Sequence, residues 1–224
     1  MLEILEAGPP SYGHWRAIVQ AAAFAAIVAM ASAAPASART MKLVALGDSL
    51  TAGYGVAPGK AFPDQLEAAL KARGWDVTVV NAGVSGDTAE DGLARWDWAV
   101  PADADALIVE LGANDMLRGL PPEATKQTLA AVLDRAKAAH LPTLLAGMRA
   151  APNLGAGYDK AFDAIYPALA ESRGAILYPF FLEGVAGDPK LNQLDGLHPT
   201  PAGVAVIVGR ILPAVEALLG RTKR

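Results

Sequence analysis

An α/β domain built on a parallel sheet is the fold class this sequence predicts. From residue 41 onward, short aliphatic and β-branched runs alternate with segments of helical apolar spacing, the signature of βαβ units. A chain of 224 residues with 53% hydrophobic and 19% charged content can bury one sizeable core. Finally, Val204, Ile207, Val208, Ile211, Leu212, Val215, Leu218 and Leu219 mark one continuous apolar helical face that closes the chain.

The chain opens on a segment of different character. His14-Trp15-Arg16 precedes an uncharged apolar run from Ala17 to Met30, and small residues then form two A-x-A patterns, Ala31-Ser32-Ala33 and Ala36-Ser37-Ala38. This predicts a secretory signal over residues 1–38, cleaved among Ala33, Ala34 and Ala38, and a single domain over 39–224. The run falls short of the roughly 20 apolar residues of a spanning helix, so no stable membrane span is expected after cleavage. Glu3 and Glu6 depart from the usual pattern, leaving Arg16 as the one fixed positive side chain ahead of the run. The mature protein is expected to be exported, periplasmic or secreted.

Strands are predicted at Met41–Leu46, Val77–Asn81, Ala106–Leu111, Pro142–Met148 and Ala175–Tyr178. Helices are predicted near Phe62–Arg73, Thr88–Trp98, Pro122–His140 and Tyr158–Ser172. Leu129, Val132, Leu133 and Ala136 stripe the third of these, and Leu141-Pro142 ends it, so His140 reads as a helix-terminal residue. Thr200 suits the N-cap of the closing helix and Pro201 its first position. Asp87 reads as an N-cap paired with Glu90, and Leu93, Trp96 and Trp98 read as anchors of a helix or strand and not as binders of aromatic substrate. Gly112–Pro122 and Arg149–Gly157, rich in Gly, Pro and Asn, read as cleft loops.

Composition removes several function classes. A net charge of −4 without a basic stripe excludes phosphate-backbone binding as the main role, so nucleic acid is not an expected partner. With no cysteine there is no disulfide, thiolate metal site or cysteine nucleophile. Asp48, Asp87 and Asp115 invite a metal, yet none of the usual cation loops is present, so no metal is expected.

Ligands of an open parallel sheet bind beyond the carboxyl ends of its strands, and the polar motifs fall there. Ser49 follows the first strand, Gly86 lies in the loop after the second, Asn114 follows the third, and Asp195 and His198 precede the closing helix. A serine hydroxyl needs a base within hydrogen-bond reach and a group that orients the base. His198 supplies the base and Asp195, three residues earlier, the orienting carboxylate. Acyl transfer develops charge on the carbonyl oxygen, and the N–H of Ser49, Gly86 and the Asn114 amide suit an oxyanion hole. Met148, Pro152 and Leu154 are expected to line the acyl site. Gly83-Val84-Ser85-Gly86-Asp87 lacks the final glycine of G-x-S-x-G, which disfavours an ordinary α/β-hydrolase.

Gly47-Asp48-Ser49-Leu50, Gly86, Asn114 in Gly112-Ala113-Asn114-Asp115 and Asp195-x-x-His198 resemble the four ordered blocks of the SGNH, or GDSL, hydrolase superfamily, over nearly all of residues 41–219. Val80–Thr88, Val109–Asp115 and Ala164-Ile165-Tyr166-Pro167 look like its bacterial arylesterase, thioesterase I or lysophospholipase group. The resemblance implies a three-layer α/β/α flavodoxin-like fold with a five-stranded sheet of order 2-1-3-4-5. It implies Ser49 as nucleophile, Asp195 and His198 completing the triad, and Ser49, Gly86 and Asn114 as oxyanion donors. No cofactor is implied. Ala113 stands where close relatives often carry a second glycine, and its methyl group would narrow the cleft.

The expected function is an exported serine esterase acting on small-molecule acyl esters or thioesters, such as aryl esters, acyl thioesters or lysophospholipids. One rival is a carbohydrate acetyl esterase, disfavoured by cleft loops poor in stacking aromatics. Another is a non-catalytic periplasmic binding protein, disfavoured by the intact Ser49, Asp195 and His198.

Overall fold

The computed structural model describes residues 39–222, so the expected leader over 1–38 lies outside the described residues. Five strands form one parallel sheet: β1 (Met41–Gly47), β2 (Val77–Gly83), β3 (Ala106–Glu110), β4 (Thr143–Ala146) and β5 (Ile176–Tyr178), in the order β2-β1-β3-β4-β5. Right-handed crossovers in that order put the β1-to-β2 helix on one face and the helices that move toward β5 on the other. Accordingly α2 (Phe62–Ala72) packs with the closing helix α9 (Pro201–Leu219), while α3 (Ala89–Ala94), α6 (Pro122–Ala138) and α8 (Ile165–Arg173) pack together. The α/β/α layering and strand order are those expected.

The central strands are apolar because both their faces are covered. Leu43 to Leu46 and Ala106 to Val109 are fully buried, and a side chain of this size removed from water contributes about 1.5–3 kcal/mol. Phe62 of α2 meets Phe181 edge-on at 5.0 Å, joining that helix to the segment after β5. Helix α9 is long and apolar enough to cross a membrane by composition alone, yet Val204, Ile207, Ile211, Val215 and Leu218 are buried in the core. Its N-terminus is capped as expected: the Thr200 hydroxyl accepts from Gly203 N at 3.2 Å, and Pro201 takes the first position.

Several boundaries differ from expectation for physical reasons. The segment 88–98 is two short helices, α3 and α4 (Trp96–Ala99), because Arg95 between them turns its guanidinium inward. Thr88 caps α3 and pairs reciprocally with Asp91, whereas Asp87 binds Arg95, correcting the Asp87–Glu90 reading. Trp96 is buried as expected of an anchor, but Trp98 is 72% exposed with the Arg95 guanidinium 5.7 Å from its ring centroid. Residues 158–172 likewise divide, into α7 (Ala156–Asp163) and α8, since Pro167 has no N–H to return to residue 163 and its ring crowds that carbonyl. The loop after β3 contains a short helix, α5 (Ala113–Leu117), and His140 adopts a left-handed φ of 57° just beyond α6.

Candidate active site

At the end of β1 the chain makes the turn that presents Ser49. Asp48 leaves the strand and caps a one-turn helix, α1 (Ser49–Ala52), its Oδ1 accepting from Leu50 N at 2.9 Å. Ser49 therefore begins a helix, where a backbone N–H has no intrahelical acceptor. Beneath it Asp48, Thr51 and Glu110 are fully buried. Thr51 Oγ1 donates to Glu110 Oε2 at 2.7 Å, and Asp48 N donates to the same oxygen at 3.4 Å. Gly47 makes this possible: a Cβ there would lie 2.1 Å from Thr51 Oγ1 and 2.6 Å from Glu110 Oε2.

The other half of the site is a tight loop after β5. Asn192 and Pro199 form an antiparallel bridge, Gln193 N donates to His198 O at 2.7 Å, and Gly196 takes a positive φ of 71° at the tip. Asp195 organises the turn, its Oδ1 accepting from Leu197 N at 2.9 Å and His198 N at 3.0 Å. Its Oδ2 lies 2.6 Å from His198 Nδ1, and His198 Nε2 lies 2.9 Å from Ser49 Oγ. Ser49, His198 and Asp195 thus form one hydrogen-bonded line across 149 residues of sequence. The Tyr54 ring stands 4.5 Å from the His198 ring.

The two carboxyl groups of this edge are driven in opposite directions. Burial raises Asp48 to about 6, against the lowering effects of the Leu50 N–H, the His198 charge and the Asn114 amide. The His198 backbone N–H, the His198 ring and the Leu197 N–H hold Asp195 down at about 2. Glu110, buried beside Asp48, is raised well above the usual carboxylate range, first by burial and then by the Asp48 charge.

Gly86 sits in the turn after β2 with a φ of +90°, a conformation natural to glycine, and its carbonyl accepts from Arg118 Nη2 at 2.6 Å. The Asn114 amide nitrogen donates to Asp48 Oδ2 at 3.1 Å and to the Asp87 carbonyl at 3.0 Å, so it bridges the loops after β1 and β2. Asp115 anchors that neighbourhood through Ala89 N at 2.8 Å and Thr125 Oγ1 at 3.1 Å. Among the described residues, no group of three or more His, Asp or Glu side chains is arranged to hold a metal ion.

A cavity of about 440 Å³ opens at this edge, reached by Ser49, Asn114 and His198 and lined chiefly by apolar groups, among them Met116, Leu117, Met148, Phe180 and Leu182. Of the residues expected to line the acyl site, Met148 lines this cavity. Pro152 instead begins a 3-10 turn (Pro152–Leu154), and Leu154, outside the lining, packs against the core. The lining comes in part from Phe180, Leu182 and Ala186, in a segment after β5 that carries no motif. Ala113 lines the cavity as well.

Three supporting residues had escaped sequence reasoning. Arg95, buried, binds Asp87 Oδ2 at 2.5 Å and the Gly47 carbonyl at 2.8 Å, tying the loop after β2 to the end of β1. Gln193 donates to the carbonyls of Tyr54 at 2.8 Å and Pro199 at 3.0 Å, strapping the His198 loop to the Ser49 half. Glu110 is the third, and its signal was visible: a lone acid inside an otherwise apolar strand.

Comparison with known proteins agrees with this fold. Residues 45–206 match the family described as GDSL-like Lipase/Acylhydrolase. The chain is 42% identical over 167 residues to an arylesterase of Vibrio mimicus, covering 74% of this chain and 84% of that one. It is 43% identical over 158 residues to thioesterase 1/protease 1/lysophospholipase L1 of Escherichia coli strain K12, covering 70% and 74%. Among solved structures, that of TesA superposes with a TM-score of 0.76 at 36% identity, over 80% of this chain and 99% of that one.

Proposed function

The chain belongs to the GDSL-like lipase/acylhydrolase family, an ester-bond hydrolase by that membership, and on this premise we propose that Ser49 is its nucleophile, His198 its general base and Asp195 the group that orients the base. The observation that carries the reading is the line Asp195 Oδ2, His198 Nδ1, His198 Nε2, Ser49 Oγ, with contacts of 2.6 and 2.9 Å. Ser49 Oγ attacks the acyl carbonyl as its proton passes to His198 Nε2. Asp195 stabilises the imidazolium through Nδ1–H. The tetrahedral oxyanion is met by the N–H of Ser49, the N–H of Gly86 and the Asn114 amide. For this the amide turns one hydrogen away from the Asp48 carboxylate or the Asp87 carbonyl that it binds in the free chain. On collapse the leaving alcohol or thiol takes the proton from His198. Water, deprotonated by the same imidazole, then releases the acid from the acyl-enzyme and restores Ser49.

The substrate is a small-molecule carboxylic ester or thioester whose acyl part enters the apolar cavity beside Met148. Supporting this are the apolar lining and relatives named as arylesterase and as thioesterase and lysophospholipase. The A-x-A patterns before residue 39 support export of the mature domain, 39–224, to the periplasm or medium. Hydrolysis of an activated aryl acyl ester by Ser49→Ala tests the assignment. The expected result is a fall in kcat/KM of about 10⁴ or more, and wild-type activity would reject it. N-terminal sequencing of the exported protein tests the leader: a first residue between 34 and 39 is expected, and an intact residue 1 would reject cleavage.

A further inference from the structure

We propose that Glu110 is a positioning residue for the nucleophile: from the end of β3 it braces the turn from Gly47 to Thr51, and so sets where Ser49 Oγ stands. The proposal rests on Ser49 being the nucleophile. Glu110 lies directly opposite Gly47 in the parallel register of β1 and β3, and its side chain is fully buried. Its Oε2 gathers the Thr51 hydroxyl at 2.7 Å and the Asp48 N–H at 3.4 Å, one group on each side of Ser49 in sequence. Gly47, lacking a Cβ, is what lets the three meet. The Thr51 N–H faces the same carboxyl, so every polar contact falls on this turn, and Oε1 is buried without a hydrogen-bond partner.

A carboxylate so placed would be a costly way to brace a turn if it were charged. Its ionised form would keep one oxygen dry and unpaired, and it would face the Asp48 carboxylate. Of the two acids, Asp48 is the better provided for, with the Leu50 N–H at 2.9 Å and the Asn114 amide at 3.1 Å donating to its two oxygens. The proton therefore resides on Glu110, and Asp48 carries the negative charge that holds Asn114. Glu110 acts as a neutral hydrogen-bonding wedge, with no part in proton transfer.

A neutral wedge can be imitated by an amide and cannot be dispensed with. The test is steady-state hydrolysis of an activated aryl acyl ester by the full chain carrying Glu110→Gln, Glu110→Ala, Thr51→Val, Thr51→Ser or Ser49→Ala, with folding followed by circular dichroism. Glu110→Gln is expected to keep kcat and KM within about twofold of wild type. Glu110→Ala is expected to lose about tenfold or more in kcat with KM within about twofold, since a small misplacement of the nucleophile costs rate and not binding. Wild-type kcat in a folded Glu110→Ala overturns the proposal, as does a Glu110→Gln as impaired as the alanine variant. Should Glu110→Ala fail to fold, Thr51 decides: about a fivefold loss of kcat in Thr51→Val, restored by Thr51→Ser, supports the brace. Equal kcat in all three overturns it. Activity retained by Ser49→Ala would instead strike the nucleophile assignment itself, which separates the two failures.

Discussion

The two halves of the site are built on opposite physical principles. The Ser49 half rests on fully buried polar groups, Asp48, Thr51 and Glu110, wedged between two central strands. The Asp195–His198 half is a surface loop, with side chains 37% and 19% exposed, whose shape comes from local hydrogen bonds. Burial drives the Asp48 carboxyl up to about 6, while donated N–H groups drive Asp195 down to about 2. The same functional group is thus made reluctant to ionise in one half and eager to ionise in the other. Rigidity is placed under Ser49, and the carboxyl that ionises most readily lies where solvent can moderate its charge.

Disabling the exposed half should destroy activity and spare the fold. For His198→Ala we expect kcat/KM to fall by about 10⁴ or more with unfolding free energy within about 0.5 kcal/mol of wild type, measured by ester hydrolysis and urea unfolding. A large loss of stability would erase the contrast. The buried half should behave in reverse. Arg95→Met strips Asp87 and the Gly47 carbonyl of their partner and should cost about 3–5 kcal/mol of stability, read by the same unfolding experiment.

The contrast also predicts how stability depends on pH. The Asp48 carboxyl is raised, so the folded chain takes up a proton that the unfolded chain does not yet hold, and stability rises as pH falls from about 6 to about 4. The Asp195 carboxyl is depressed, so its contribution is present above its ordinary value of 3.8 and is lost as pH falls toward about 2. Urea unfolding across pH 2 to 7 should therefore show a rise and then a fall. Glu110, raised in the same way, shares in the rise, so Asp48→Asn should reduce the first and Asp195→Asn the second; an Asp48→Asn variant with an undiminished rise would contradict the burial argument at Asp48. The smallest effect is expected at Tyr54, whose ring touches His198 across the two halves. Tyr54→Leu should reduce kcat/KM by about threefold to fivefold in the ester assay.

The sequence made the strands legible because an apolar run bounded by turns is a local pattern, and the strands lie where those runs are. It also brought Ser49, Asn114, Asp195 and His198 into consideration together, since each follows a strand or precedes a helix at the same sheet edge. Sheet order was readable only through resemblance to a family, because periodicity does not say which strands are neighbours. What stayed hidden was pairing at long range. Arg95 reaches a carbonyl 48 residues away, and Gln193 one 139 residues away, and neither leaves a mark in its own neighbourhood. Trp98 was misjudged for a related reason: helical spacing assumes one unbroken helix, and the turn at Arg95 rotates Trp98 to the surface. The cavity lining was missed likewise, since Phe180, Leu182 and Ala186 belong to a segment with no regular period.

The distance along the chain between the serine and the imidazole has a consequence for biosynthesis. As the polypeptide leaves the ribosome, the alcohol emerges 149 residues ahead of its partner, and the loop carrying that partner is tethered by the final helix. A chain lacking the loop of His198 therefore holds Ser49 without the imidazole that its hydroxyl meets at 2.9 Å.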